Sequence, residues 1–316
     1  MASSPLSGIS IGGTLGVTFV GVCISSMFYG VTCLQTFTYY RSSRAMKDGR
    51  SLRLLVLALL VLDSAHQAIV IHAAYNYLVL DVLNPMKLIA LVWSIPAEIV
   101  FNALLALILN SFLTFRLWKL SRWYLLASIG AILTLGNFST NLAYAIQTFQ
   151  YDDLFSAEKT LRNHGIGGLC VSVVTESMLS LSLAYYLNAQ RTGLRKSNDM
   201  ITKLIALTVT TGMLTTVFNV ADLIAYIARP SDLYVLCFNF MLGKLYANAL
   251  LTSLNSREYI LHTGDQPTFN VFDTTEGSTI DGHVDPSAIH IGMDRLVVPS
   301  PSQDSATGST SKFEGV

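Results

Sequence analysis

Eight side chains carry most of the chemical possibilities of this sequence: Asp63, His66, Glu98, Asn102, Glu176, Asp222, Lys244 and Asn248. Each lies in an otherwise apolar stretch. Asp63 and His66 are three apart, while Glu98 and Asn102, and Lys244 and Asn248, are four apart; these spacings set both members of a pair on one face of a helix. Glu176 shares its stripe with Ser172 and Ser180, Asn219 is spaced to pair with Asp222, and Asn255 continues the face of Lys244. Carboxylates, an imidazole, an amine and amides so arranged can tie helices together, relay protons or cations, or hold the polar group of a ligand.

The elements that position them follow from the apolar runs. Lys244 stands in the middle of "VLCFNFMLGKLYANALLTSLNSR", where a lysine at bilayer depth costs roughly 2.5–3.5 kcal/mol. Across 316 residues, 52% are hydrophobic and only 13% charged, the balance of a membrane protein and not of a soluble one. A hydrocarbon core of about 30 Å takes about 20 residues per helix. On that measure the chain reads as an all-α bundle of seven transmembrane helices, at roughly 11–39, 54–75, 88–113, 123–148, 165–188, 204–228 and 233–254. The partner implied directly is the lipid bilayer.

Charge orients the bundle. Arg41, Arg44, Lys47, Arg50 and Arg53 lie between the first two spans, Arg116, Lys119 and Arg122 between the third and fourth, and Arg191, Arg195, Lys196 and Lys203 between the fifth and sixth. The alternate loops are poor in lysine and arginine, which predicts an amino terminus outside and a cytoplasmic carboxyl terminus. The amino-terminal "MASSPLSGIS" lacks a basic n-region, so the first span is expected to be a retained helix. The division expected is a seven-helix membrane domain over 1–262 and a disordered cytoplasmic tail over 263–316, whose eight acids from Asp265 onward face only Arg295 and Lys312. Such a tail could bind a cytoplasmic partner. Nothing in the charge pattern suggests a nucleic acid, no cofactor is implied, and the four cysteines all sit in apolar runs.

Three stretches go further than hydropathy: "FYGVTCLQTFTYY" closing the first span, "LLVLDSAH" in the second, and "LLTSLNSR" after the seventh. In this order they resemble a family of seven-helix membrane proteins of mushroom-forming fungi, catalogued as a domain of unknown function. The resemblance runs from about Gly12 to Arg257. It implies the fold and leaves the activity open.

Counting inward from the span ends sets Asp63, Glu98, Glu176 and Lys244 near mid-membrane and Asp222 toward the outer side. One ammonium cannot neutralise so many carboxylates, and the excess calls for protons, a bound cation or a water-filled cavity. The bland alternative is structural glue, because an interhelical hydrogen bond gains only about 0.6 kcal/mol. Pro96 is expected to kink the third helix beside Glu98. Gly12 and Gly16 make a GxxxG spacing at the edge of the first span, and the "NFS" pattern at Asn137 lies within the fourth span, where no glycan can attach.

These features favour a receptor or sensor for a small molecule, in a plasma membrane, with a proton- or cation-coupled transporter of a small solute as the alternative. The third span ends in "LTFRLWKL" and the seventh has no Asn-Pro-x-x-Tyr, so the main class of G-protein-coupled receptors is not matched. A retinal protein would carry its lysine on the seventh helix, but the aspartate such proteins place four residues earlier falls at Phe240. A metallohydrolase built on Asp63 and His66 lacks a second intramembrane histidine motif to complete about four ligands. No enzyme is expected.

Overall fold

The computed structural model describes residues 15–42, 48–81, 87, 90–190, 195–228 and 233–262. The chain divides into two compact units, Met1–Gln266 and Pro267–Val316; the second, and with it the acidic tail, lies outside the described residues. Among the described residues the first holds seven α-helices, α1 (Val17–Arg41), α2 (Arg50–Tyr75, continued by a π-helical turn over Asn76–Leu80), α3 (Ser94–Ser121), α4 (Tyr124–Thr148), α5 (Leu154–Ala189), α6 (Arg195–Ala228) and α7 (Tyr234–His262). All seven contain a segment long and apolar enough to cross a membrane.

The outer surface has the character of a lipid-facing one. Met27, Leu125, Ile132 and Leu181 are each about two-thirds exposed or more, an arrangement that water would penalise and hydrocarbon does not. Trp118 and Tyr124 pack with ring centroids 6.4 Å apart where α3 turns into α4, beside exposed Trp123. Amphipathic rings are enriched where a bilayer meets water.

Several helix ends depart from the sequence expectation, three helix starts among them. The third span was expected from residue 88, yet α3 starts at Ser94. Ala90 instead forms an antiparallel bridge with Asp153, Leu91 N–H donates to the Asp152 carbonyl at 2.9 Å, and Tyr77 hydroxyl donates to the Ala90 carbonyl at 2.9 Å. Apolar composition alone does not separate helix from extended chain once backbone groups find other partners. Pro96 consequently falls in the first turn of α3, where its missing N–H costs no intrahelical bond. The kink expected there has no cause.

The fifth helix starts at Leu154, eleven residues before the expected 165. Asp153 caps it, its Oδ2 accepting from Ser156 N–H at 2.9 Å and from the Ser156 hydroxyl at 2.7 Å, as an N-cap aspartate does. His164, one residue before the expected span, is therefore on α5 and its Nδ1 lies 2.9 Å from Gln147 Oε1. The sixth helix likewise starts nine residues early, at Arg195, because a helix need not stop where its residues become polar.

In the bundle α7 is the central element. About two-thirds of its membrane window is buried, against at most 39% for any other span. Leu242, Leu250 and Leu251 of α7 pack with Leu59 of α2 and with Leu105 and Leu109 of α3 in one apolar cluster. Without a hydrophobic force between helices in lipid, close packing must hold them, which favours small residues at crossings. Gly21 of α1 serves this purpose: a Cβ there would stand 2.9 Å from the Cys237 Cα of α7. Of the GxxxG pair, Gly12 lies outside the described residues and Gly16 has no such neighbour.

Candidate functional site

The buried polar side chains gather between α2, α3, α5, α6 and α7. Lys244 and Asp63 are both fully buried, with Lys244 Nζ donating to Asp63 Oδ1 at 2.7 Å and to the Asp63 carbonyl at 2.8 Å. The ammonium also sits 5.2 Å from the centre of the Tyr29 ring, a cation–π distance. This answers the cost of a lysine at mid-membrane: its charge is matched by a carboxylate, a carbonyl and a ring face. Asn248 Nδ2 donates to the Lys244 carbonyl at 2.8 Å and to the Phe28 carbonyl of α1 at 3.1 Å.

One turn along α2, His66 Nε2 lies 3.2 Å from Glu98 Oε1, both residues fully buried. Asp63 and His66 share a face, as expected, but serve different partners. Gly243 allows their neighbours to approach, since a Cβ there would meet His66 Cε1 at 3.0 Å and Asn102 Oδ1 at 3.3 Å. Asn102 Nδ2 donates to the Asn239 carbonyl at 3.2 Å, linking α3 to α7.

A second cluster surrounds Glu176. Its Oε1 accepts from the Tyr246 hydroxyl at 2.7 Å and from Asn219 Nδ2 at 2.9 Å. Ser172, on the same stripe, donates instead to Asn137 Oδ1 at 2.7 Å, which places Asn137 inside the bundle, as its position in the fourth span requires. Asn219 thus serves Glu176, and the spacing-based pairing of Asn219 with Asp222 is corrected. Asp222 is fully buried and neither of its carboxylate oxygens has a hydrogen-bond partner among the described residues.

A cavity of about 110 Å³ opens between α3, α4, α5, α6 and α7 at the end of the bundle where α7 begins. Ile95, Ile99, Leu169 and Leu236 give it apolar walls, and Asn141, Tyr144, Glu158, His164, Tyr226 and Asn239 supply polar groups. Tyr144 and Tyr226 hydroxyls are 3.4 Å apart. Asn239 belongs both to this wall and to the bond with Asn102. Lys244 does not border the cavity, so its amine meets Asp63 and Tyr29 rather than an open chromophore space.

Of the eight candidates, the structure groups Asp63, His66, Glu98, Asn102, Lys244 and Asn248 along the α2–α3–α7 interface, with Glu176 and Asp222 toward α6. Sequence reasoning missed Tyr29, Asn110, Asn239, Gly243 and Tyr246. Asn110 and Asn239 were visible as amides in apolar runs but had no ionisable neighbour at helical spacing to single them out. Tyr246 and Tyr29 look like ordinary aromatic core.

The fold and its buried charges define an integral membrane protein of seven helices. Residues 172–259 match the model of a family described as a family of unknown function (DUF6534). That segment takes in Glu176, Asp222, Lys244 and Asn248, while Asp63, His66, Glu98 and Asn102 lie before it; of the three motifs quoted above only "LLTSLNSR" falls within it. No curated protein and no solved structure matches the chain.

Proposed function

We propose that this protein is a receptor or sensor whose ligand is a small, mainly apolar molecule with one or two hydrogen-bonding groups. The observation that carries the reading is the shared position of Asn239, on the wall of the cavity and bonded to Asn102. A ligand that displaces Asn239 acts on α7, the helix that carries Lys244 and continues to the opposite end of the bundle. There Asn255 Nδ2 donates to the Gln35 carbonyl at 2.8 Å and Arg116 Nη1 to the Ser253 hydroxyl at 3.0 Å. Differential contact at one end of a rigid element is the physical requirement for a signal at the other.

The cavity volume limits the ligand. At about 110 Å³ it is somewhat smaller than the roughly 150 Å³ engineered cavity that takes benzene, so a single-ring compound is the expected scale. A thermal-shift panel of single-ring alcohols, phenols and lactones on the detergent-solubilised protein tests this. At least one should raise the melting temperature by several degrees, and Leu169→Trp, which fills the cavity, should abolish that rise. A rise retained in Leu169→Trp would remove this cavity from the reading.

The basic loops support an amino terminus outside and the cavity mouth with it. Tags before α1 and after α7 should be reached from opposite faces of intact cells, and the tagged protein should label the plasma membrane. Labelling of both tags from one face would overturn the proposed topology.

Transport is the second reading. It is favoured by Glu98 Oε2 and by both oxygens of Asp222, buried and without hydrogen-bond partners among the described residues, a turn further in than Ile95 and Tyr226 of the cavity wall. Solute-dependent proton or cation flux in proteoliposomes would decide for it. The receptor reading expects none.

A further inference from the structure

A second, much smaller cavity lies between α3, α5, α6 and α7, and no part of the proposed ligand path uses it. Its volume is about 20 Å³, and Asn110, Glu176, Ser180 and Thr215 are among its lining residues. That is room for one water-sized species. Glu176 Oε2 and both polar atoms of the Asn110 side chain have no hydrogen-bond partner among the described residues, and both residues are at most 2% exposed. Such groups are costly to leave unsatisfied in a low-dielectric interior.

Register brings these atoms to one level. Asn102 meets Asn239 and Arg116 meets Ser253, in each case at a sequence separation of 137. The same offset sets Asn110 opposite Ala247, next to Tyr246, whose hydroxyl is the 2.7 Å donor to Glu176 Oε1. Glu176 and Asn110 therefore line the same small space. Ser180 follows Glu176 by one turn on α5, and the Thr215 hydroxyl, donating to the Gly212 carbonyl at 3.1 Å, retains lone pairs for a further contact.

Charge decides what fits. Lys244 is engaged with Asp63. Arg116 also lines the cavity; its Cα lies six residues and about 9 Å along α3 from that of Asn110 by helix rise, and its Nη1 donates to the Ser253 hydroxyl. At the level of Glu176 the lining offers oxygen: a carboxylate, an amide carbonyl and hydroxyls. Hard oxygen donors around a water-sized space suit a small monovalent cation, whose charge offsets that of the buried carboxylate.

We propose that this cavity is a sodium site, with Glu176 Oε2 and Asn110 Oδ1 as its principal ligands and Ser180 and Thr215 hydroxyls beside them. The test is thermal unfolding of the full-length, detergent-solubilised protein in sodium chloride, potassium chloride and N-methylglucamine chloride at equal ionic strength. Sodium should raise the melting temperature saturably, by roughly 3–5 °C at tenfold excess over its dissociation constant. Potassium, too large for the space, should do so less, and N-methylglucamine not at all. Asn110→Ala, which leaves both donors to Glu176 Oε1 in place, should weaken the sodium response at least tenfold in midpoint concentration. Glu176→Gln should remove it. Equal melting temperatures of the wild-type protein in all three salts would overturn the proposal and assign the space to water alone. A sodium response unchanged in Asn110→Ala would place the ion elsewhere and overturn it equally.

Discussion

Lys244→Met is expected to destabilise the bundle by about 3–5 kcal/mol, because it leaves the fully buried Asp63 carboxylate without its cation. Methionine matches the length and apolar stem of lysine, so lost volume contributes little. What is removed is a 2.7 Å charged hydrogen bond, a second bond to the Asp63 carbonyl, and the ammonium over Tyr29. Asp63→Asn should cost a similar amount for the opposite reason, leaving an ammonium against a neutral amide. The double variant carries no uncompensated charge and should be more stable than the sum of the single losses predicts, by at least about 1–3 kcal/mol. Melting temperatures of the four proteins in one detergent measure this. Mild, additive single losses would show that Lys244 and Asp63 do not hold each other, and that each is solvated independently.

Gly21→Val should separate α1 from α7 and cost about 3 kcal/mol or more. The argument is steric. A Cβ at residue 21 meets the Cys237 Cα at 2.9 Å, with Cys237 Sγ at 3.1 Å and Cβ at 3.3 Å, and a backbone atom of a packed helix cannot swing aside as a side-chain tip can. The loss should reach the polar interior as well, since the same crossing carries the bonds from Asn248 to Phe28 and from Asn255 to Gln35. Gly30, on the exposed side of α1, is the internal control: nothing lies within 4 Å of its Cβ position. Gly30→Val should change the melting temperature little. Equal effects of the two substitutions would mean that helix propensity, rather than the crossing, governs α1.

The number of helices and their approximate places were written in the sequence, because a bilayer imposes a length and an apolar composition that a local window can read. So was the list of polar residues destined for the interior, since an ionisable group in an apolar run has few places to go but inward. Asp63, His66, Glu98, Glu176, Asp222 and Lys244 are all buried, as that logic requires. Helix ends were less legible: Asp153 as a cap and the extended pairing of Ala90 depend on partners that hydropathy does not weigh.

Which polar group meets which was decided only by tertiary structure. Spacing within one helix says that Asp63 and His66 share a face, but not that one turns to Lys244 and the other to Glu98, or that Asn219 serves Glu176 rather than Asp222. Those choices follow from the register between helices 137 or 181 residues apart in sequence, fixed in turn by close crossings such as Gly21 on Cys237. Helical periodicity is a local property, whereas register is a sum over every contact of two surfaces. The side-chain inventory of the interior is therefore local information, and its pairing and the cavities at Asn239 and at Glu176 are not.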